Sequence, residues 1–298
     1  LFISLLLIAS VFAEYKVIDV SEHNGNINWA QVKAAGIDGA IIRVGYGSDI
    51  ASQDDAYFKA NIQGCINNGI PFGVYIYSYA YYEENARSEA DHVIRLVGPY
   101  KDHLAFPVYY DLEESGTESV AVRNGRIFIE RMESFGYTVG VYANEYWFNA
   151  FLGSSFNGHS LWVAKYGIND GYQHTPPQIS GNYDMWQYSS TYRVSGISGY
   201  VDISAFYGSI TNTPGSSSSS SDKSIDQLAR EVIDGLYGNG EERRQRLGDK
   251  YDAVQRRVNE LLDSDSKSID QLAREVIAGL YGNGEERRQR LGDKYDAV

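Results

Sequence analysis

Two carboxylates stand two residues apart at the end of an apolar and aromatic run, in the segment FPVYYDLEES (106–115). On a strand, Asp111 and Glu113 would share one face, with their α-carbons about 6.5 Å apart. Desolvating a carboxylate is unfavourable unless a partner compensates for it or the protein uses it. The segment is therefore either a strand end that reaches solvent, or a site where paired acids transfer protons or hold a hard cation.

The elements that must position these acids alternate between strands and helices from residue 14 to residue 210. Apolar strand patterns such as DGAIIRVGYG (38–47) alternate with segments of helical periodicity, and the last three strands are joined by little helix. Eight strands in this order predict an α/β fold, a (β/α) TIM-like barrel with parallel neighbours and reduced helices in its second half. An open doubly wound sheet is the alternative, although no glycine-rich phosphate loop follows the first strand.

Four segments outside 14–210 have a different composition. Residues 1–13 are apolar and end in small residues, which predicts a secretory signal peptide and a secreted or lumenal protein, with a phagosome-like or lysosome-like compartment as one location. A Pro-Gly turn and a serine run make 211–223 a flexible linker. Residues 224–262 form a small all-α three-helix repeat, and 268–298 form a second, truncated copy of it.

Composition limits the classes of partner and cofactor that the chain is expected to bind. The net charge of −13 argues against a nucleic-acid partner, which needs a basic face. A single cysteine, Cys65, allows no internal disulfide, and no H-E-x-x-H or C-x-x-C spacing exists to bind zinc. We therefore expect no metal and no cofactor, no membrane association once the signal peptide is removed, and a monomer.

Two further acids occur in the first and last predicted strands, Asp19 in VIDVSEHNG and Asp202 in GYVDISAF. Closing a barrel makes these strands neighbours, and barrel active sites lie at the carboxyl ends of strands, so both acids are predicted to converge with Asp111 and Glu113 on one rim. Crowded carboxylates raise one another's pKa. A protonated acid beside a negative group is what glycosidic bond cleavage requires. A calcium or magnesium site is the alternative.

The segments VIDVSEHNGNINW, AIIRVGYG, FGVYIYSYA, VYYDLEE, GVYAN, LWVAKY, MWQYSS and VDISAF, in this order, resemble the glycoside hydrolase family 25 muramidases over about residues 15–210. The resemblance implies a (β/α) barrel that hydrolyses the β-1,4 bond between N-acetylmuramic acid and N-acetylglucosamine in bacterial peptidoglycan. The acidic positions of the family fall on Asp19, Asp111, Glu113 and Asp202.

The resemblance also implies a role for each acid. Glu113 would be the proton donor. Asp111 would orient and stabilise the 2-acetamido group of the substrate, which attacks the anomeric carbon; a carboxylate that attacks directly is the alternative. Asp19 and Asp202 would tune the charge of the site and hold substrate. Polar and aromatic side chains on or near the strands are predicted to contact substrate, with the rings stacking on sugar faces: Arg43, Tyr75, Tyr77, Tyr109, Tyr142, Trp162, Trp186 and Gln187.

The two repeats resemble the cell-wall-binding repeats, type 7, of phage and bacterial lysins, most clearly through DQLAREVIDGLYGNGEERRQRLG. Linked wall-binding modules raise affinity for an insoluble wall through effective concentration.

Two other functions stay open. One is a peptidoglycan-binding protein without catalysis. The other is a chitinase-type hydrolase, although only the final D-x-E of the D-x-x-D-x-D-x-E pattern is present here.

Overall fold

The computed structural model describes residues 14–210, 225–233, 237, 240–265, 276 and 287–288. The predicted signal peptide, the predicted linker and most of the second repeat lie outside the described residues. The chain divides into two compact units, Leu1–Ser217 and Ser218–Val298, and each unit is described by itself.

The first unit is a closed eight-stranded barrel in which each strand pairs with the next along the chain and the last pairs with the first. The strands are β1 (Tyr15–Val20), β2 (Gly39–Tyr46), β3 (Phe72–Tyr77), β4 (Leu104–Asp111), β5 (Val139–Asn144), β6 (Ser160–Ala164), β7 (Met185–Tyr192) and β8 (Val201–Phe206). The predicted barrel is confirmed, and the open doubly wound sheet is excluded because β1 and β8 pair.

Strands β1 to β7 are parallel, but β8 runs antiparallel to both β7 and β1. The expectation of parallel neighbours is therefore wrong for the last strand. Residues 193–200 join β7 to β8 without a helix. A parallel crossover needs about a dozen residues or more, so a connection this short reverses the chain instead.

Helices are concentrated in the first half of the barrel, as predicted. Those of the barrel unit are α1 (Trp29–Ala34), α2 (Phe58–Asn67), α3 (Glu83–Val97), α4 (Ala121–Ser134) and the short α5 (Glu145–Trp147). The long helices α3 and α4 bury one apolar stripe each, which includes Ala86, Ala90 and Val93 in α3 and Phe128 and Met132 in α4.

The inward faces of the strands change from apolar to polar at one level of the barrel. Side chains alternate along a strand, so residues two apart share a face. Val17, Ile41, Tyr109, Met185 and Phe206 pack together in the interior with other apolar side chains. Two positions further toward the same end of the barrel, the corresponding strands carry Asp19, Arg43, Asp111, Gln187 and, on the reversed β8, Ser204 and then Asp202. The apolar core therefore ends in a layer of polar side chains at this end of the barrel.

The described part of the second unit contains three helices, α6 (Ile225–Ile233), α7 (Gly240–Leu247) and α8 (Tyr251–Asp265). Its small core consists of Leu228, Ala229, Val232, Leu247, Val254 and Val258. Arg257 ties α8 to α6, because its Nε donates to Asp226 Oδ1 at 2.7 Å. Among the described residues, no helix combines the length and the apolar character needed to cross a bilayer.

Candidate active site

The four predicted acids lie at one end of the barrel. Asp19 and Asp202 occupy directly opposed positions of β1 and β8. Because β8 is reversed, the start of β8 and the end of β1 lie at the same mouth. Asp111 is the last residue of β4, and Glu113 follows it by two positions. We call this end of the barrel, defined by these four residues, the carboxylate mouth.

Asp111 is a deeply buried acid of the carboxylate mouth. Its side chain is buried, and its Oδ1 has no hydrogen-bond partner among the described residues. Burial raises the pKa of Asp111 well above its usual range, and the nearby charges of Glu113 and Asp19 raise it further. Asp111 is therefore a group that holds a proton readily.

Asp19 and Asp202 act on each other as a pair of like charges. Burial and the charge of Asp202 raise the pKa of Asp19 well above its ordinary value, although a hydrogen bond from Gln187 opposes the change. Burial raises the pKa of Asp202 to about 6. Two carboxyls in direct opposition cannot both ionise easily. Near neutral pH, a fraction of the molecules therefore keeps a proton on this pair.

Glu113 is half-buried, as is Asp202, whereas Asp19 and Asp111 are buried. Its Oε2 accepts two hydrogen bonds from Asn144, one from the backbone N–H at 3.1 Å and one from Nδ2 at 2.9 Å. Burial raises the pKa of Glu113, and the two Asn144 bonds hold the increase back. Both bonds reach the same oxygen, so the carboxyl is fixed in orientation while its second oxygen faces away from Asn144.

Gln187 links the two sides of the mouth. Its Nε2 donates to Asp19 Oδ2 at 2.9 Å, and its Oε1 accepts from the hydroxyls of Tyr142 and Tyr166, both at 2.8 Å. A carboxylate accepts hydrogen bonds, so the amide nitrogen of Gln187 points toward Asp19. The amide oxygen of Gln187 therefore points toward the two tyrosine hydroxyls, which donate to it.

Arg43 is held by carboxylates rather than left open toward a ligand. Its Nη2 contacts Glu22 Oε1 at 2.7 Å, and its Nε contacts Asp55 Oδ2 at 2.8 Å. The buried Asp55 also accepts from the backbone N–H groups of Glu22 and Tyr57. Arg43 therefore ties the loop after β1 to the segment after β2, next to the mouth.

The predicted aromatic residues fall into two groups. Tyr75, Tyr77 and Tyr142 lie on the inward strand faces close to the acids; the charges of Asp19 and Asp111 act on Tyr75, and those of Asp111 and Glu113 act on Tyr77 and Tyr142. Trp162 and Tyr109 lie deeper, fully buried. The Trp162 indole N–H donates to Ser204, and the Tyr109 hydroxyl bonds Ser160. These two rings form the floor, and the prediction that they contact substrate is wrong.

Trp186 lies on the outer face of the barrel. Consecutive residues of a strand point to opposite faces, and Gln187 points inward to Asp19, so Trp186 points outward. Its indole N–H donates to the Lys165 carbonyl at 2.9 Å, and its ring packs on Tyr188. The prediction that Trp186 lines the groove is therefore wrong, because strand register rather than ring type decides the face.

Three residues of the mouth were not predicted from sequence. Asn144 orients Glu113, Tyr166 binds Gln187, and Glu114 accepts hydrogen bonds from two tyrosine hydroxyls. Asn144 could have been found, because a polar residue ends β5 two positions after Tyr142 and on the same face. In the part of the chain that the structure describes, no group of three or more His, Cys, Asp or Glu side chains has a metal-binding arrangement.

A further acid, Glu89 of α3, is buried behind the barrel wall. It accepts hydrogen bonds from the hydroxyls of Ser78 and Tyr110 and from the Tyr79 backbone N–H. Burial raises the pKa of Glu89 to about 7, and these hydrogen bonds limit the increase. The pKa of Glu89 is therefore raised, as are the pKa values of the four acids of the carboxylate mouth.

We expect the barrel to lose stability as the pH rises from about 5 to 8. A folded-state pKa above the unfolded value gives stability that is complete at low pH and is lost as pH rises through the folded value. For Glu89, an ordinary value of 4.5 and a folded value of about 7 correspond to about 3 kcal/mol. Thermal unfolding at pH 5 and pH 8 measures the difference. Glu89→Gln should reduce the difference in melting temperature between the two pH values by several degrees. An unchanged difference in that variant would show that Glu89 is not the source of the pH dependence.

A closed barrel with acids of raised pKa gathered at one mouth is the arrangement of a glycoside hydrolase. Comparison with known proteins gives the family. The family model "Glycosyl hydrolases family 25" matches residues 18–197, and the "CW_7 repeat" model matches residues 226–262 and 270–298. The chain belongs to glycosyl hydrolase family 25 and carries CW_7 repeats after the barrel.

Curated relatives agree with this assignment. The chain is 32% identical over 209 residues to "Lysozyme M1" of Streptomyces globisporus, covering 64% of this chain and 67% of the relative. It is 30% identical to "Lysozyme" of Streptococcus phage Cp-7 over 259 residues, covering 82% of this chain and 69% of the relative. The second match is long enough to extend beyond the barrel.

Solved structures show the same barrel. The catalytic domain of endolysin ply40, from bacteriophage P40 of Listeria monocytogenes, aligns with a TM-score of 0.59 and 26% identity, covering 65% of this chain and 93% of that one. The modular autolysin LytC of Streptococcus pneumoniae aligns with a TM-score of 0.55 and 33% identity. That alignment covers 65% of this chain but only 47% of the autolysin chain.

Proposed function

We propose that this chain is a lysozyme that hydrolyses the β-1,4 bond between N-acetylmuramic acid and N-acetylglucosamine in bacterial peptidoglycan. The observation that carries the proposal is the carboxylate mouth, where an oriented rim acid, Glu113, stands over the buried Asp111. Relatives named lysozyme support the substrate, as does a LytC structure described as a complex with a synthetic peptidoglycan ligand.

Glu113 is the general acid of the proposed reaction. Its pKa is raised by burial, so a proton is available on a carboxyl that Asn144 holds through Oε2. That proton passes to the glycosidic oxygen as the bond from this oxygen to the anomeric carbon breaks, and the leaving sugar departs as an alcohol. Glu113 then accepts a proton from the water that completes hydrolysis, which restores the acid.

Asp111 assists the attack on the anomeric carbon. The 2-acetamido oxygen of the substrate forms a bond to that carbon, and the acetamido nitrogen becomes positively charged. The carboxylate of Asp111, two residues before Glu113 at the mouth, is suited to accept the N–H of this group and to stabilise its charge. Asp19 and Asp202 maintain the negative potential of the site, and Gln187 holds Asp19 in place.

Direct attack by a carboxylate is the alternative mechanism, and azide separates the two. If Asp111 attacked the sugar directly, removing its carboxylate in Asp111→Ala would leave space for azide to take over, and a glycosyl azide would form. Substrate assistance keeps its nucleophile within the sugar, so azide should neither restore the rate nor appear in the product.

The CW_7 repeats keep the enzyme on the wall in this proposal. A module that binds the wall raises the local concentration of substrate for the linked barrel. We further infer a secreted or lumenal location, from the apolar segment 1–13 and from the insoluble extracellular substrate, and we expect a monomer. Sedimentation of the purified chain at micromolar concentration measures the oligomeric state.

The test is mass spectrometry of the products released from purified peptidoglycan. Fragments with a reducing muramic acid end are expected, and a reducing glucosamine end would contradict the proposal. Chitin oligomers should remain uncut, which separates the proposed function from a chitinase-type hydrolase. Loss of turbidity of a cell-wall suspension separates it from a wall-binding protein without catalysis.

A further inference from the structure

Four tyrosines extend the carboxylate mouth on the side of β2 and β3. Tyr77 is the register partner of Asp111, so the row begins at the acids. The Tyr77 and Tyr79 ring centroids are 5.1 Å apart, and those of Tyr79 and Tyr46 are 5.9 Å apart. Tyr81 completes the set. We call these four residues the tyrosine wall.

Glu114 holds two of these rings. Its Oε2 accepts from the Tyr77 hydroxyl at 2.8 Å, and its Oε1 accepts from the Tyr81 hydroxyl at 3.1 Å. The Tyr81 hydroxyl also lies 3.2 Å from the Ser115 carbonyl. Both oxygens of Glu114 are therefore used to orient aromatic side chains, although the residue is adjacent to Glu113.

The backbone beneath the tyrosine wall is fixed, while two of its four rings are open to solvent. Tyr79 and Tyr81 are each 41% exposed. The Ser78 N–H donates to the Asp111 carbonyl at 3.1 Å, the Tyr79 N–H donates to the buried Glu89, and the Ala80 carbonyl accepts from Asn124. Exposed rings on a fixed backbone form a binding surface that loses little entropy when a ligand binds.

We propose that Glu114 is a positioning residue, which aligns the tyrosine wall to bind sugar rings of a glycan strand beyond those at the carboxylates. The occupant is a pyranose chain, because the wall continues directly from the acids and combines flat apolar faces with hydroxyl groups. This inference rests on the proposed function and deepens it. Binding at the tyrosine wall lowers KM for long glycan strands relative to short ones. The wall does not take part in the bond-breaking step.

Steady-state kinetics on two substrates tests the proposal. The substrates are long peptide-free glycan strands and a tetrasaccharide of the same repeat. Glu114→Ala should raise KM for the long strands about tenfold, the loss of one well-placed ring contact, and should change kcat less than about twofold. KM for the tetrasaccharide should change much less than KM for the long strands. Tyr79→Ala should behave in the same way.

Further variants separate positioning from charge. Tyr81→Phe keeps the Glu114 carboxylate and removes one hydrogen bond, so KM for long strands should rise while the pH profile of kcat stays unchanged. Glu114→Gln retains an acceptor and a donor for the two hydroxyls and should recover most of the affinity. Glu130→Ala, the same deletion at an exposed position of α4, is the control and should match the wild type.

Two outcomes would overturn the proposal. One is an equal loss of kcat on both substrates in Glu114→Ala, which would assign Glu114 to the chemistry. The other is an unchanged KM for long strands in Tyr79→Ala and Tyr81→Phe. If the wild type cleaves neither substrate, the proposed function fails instead. Calorimetric titration of long strands into a Glu113→Gln background then still measures whether Glu114 contributes to binding.

Discussion

Glu113→Gln should lower turnover on peptidoglycan by about 10³-fold, within the range for losing a general acid. Glutamine keeps an oxygen that can accept both Asn144 hydrogen bonds, so the side chain should stay in place without a transferable proton. The rate of reducing-end release measures the effect, and circular dichroism establishes that the variant is folded. Substrate affinity should change little, because the change removes a proton and leaves the shape intact.

The matched control is Glu130→Gln, which makes the same chemical change on an exposed surface of α4 and should keep wild-type activity. A Glu113→Gln variant that retains more than about a tenth of the wild-type rate would exclude Glu113 as the general acid. The carboxyls of Asp19 and Asp202 would then be the next candidates, since the pKa of each is also raised by burial.

Asp111→Asn should reduce activity by about 10²-fold or more and at the same time stabilise the barrel near neutral pH. The wild-type carboxyl is buried, has an oxygen without a hydrogen-bond partner and lies near Glu113 and Asp19. Its raised pKa means that ionising it above that pKa lowers the stability of the folded state. Asparagine removes the charge with almost no change of volume.

The sign of the effect gives a sharp test. The melting temperature of Asp111→Asn should exceed that of the wild type by about 4–8 °C at pH 7.5, equivalent to about 2 kcal/mol in a barrel of this size. At pH 4 the wild-type carboxyl is protonated, so the difference should disappear. Asp102→Asn at an exposed position is the control and should change neither activity nor melting temperature. Equal melting temperatures for Asp111→Asn and the wild type at pH 7.5 would show that Asp111 is not strained by burial.

A stabilising change that destroys activity is what a preorganised site predicts. Acids that stay crowded and partly desolvated reduce folding stability, and the surrounding core offsets this. In this barrel the offset comes from the layer beneath the mouth, where Trp162, Tyr109 and their neighbours pack against one another. The same layer therefore supports both the fold and the position of Asp111.

The amino-acid sequence by itself determined the barrel class and where its strands lie. Buried strands require continuous apolar runs, and acids at the ends of such runs are conspicuous because desolvation makes them costly there. Asp19, Asp111, Glu113 and Asp202 could be selected for this reason. The small number of helices in the second half of the barrel could also be predicted, because the helical periodicity stops after the fifth strand.

Tertiary structure alone decided which face each side chain occupies and which neighbour it meets. A shift of one residue moves every side chain of a strand to the opposite face, so ring type could not separate outward Trp186 from inward Tyr75. The Asn144 contacts to Glu113 and the Glu114 contacts to the tyrosine wall depend on pairing between distant segments. Such pairing is fixed by barrel closure, and no local pattern in the chain encodes it.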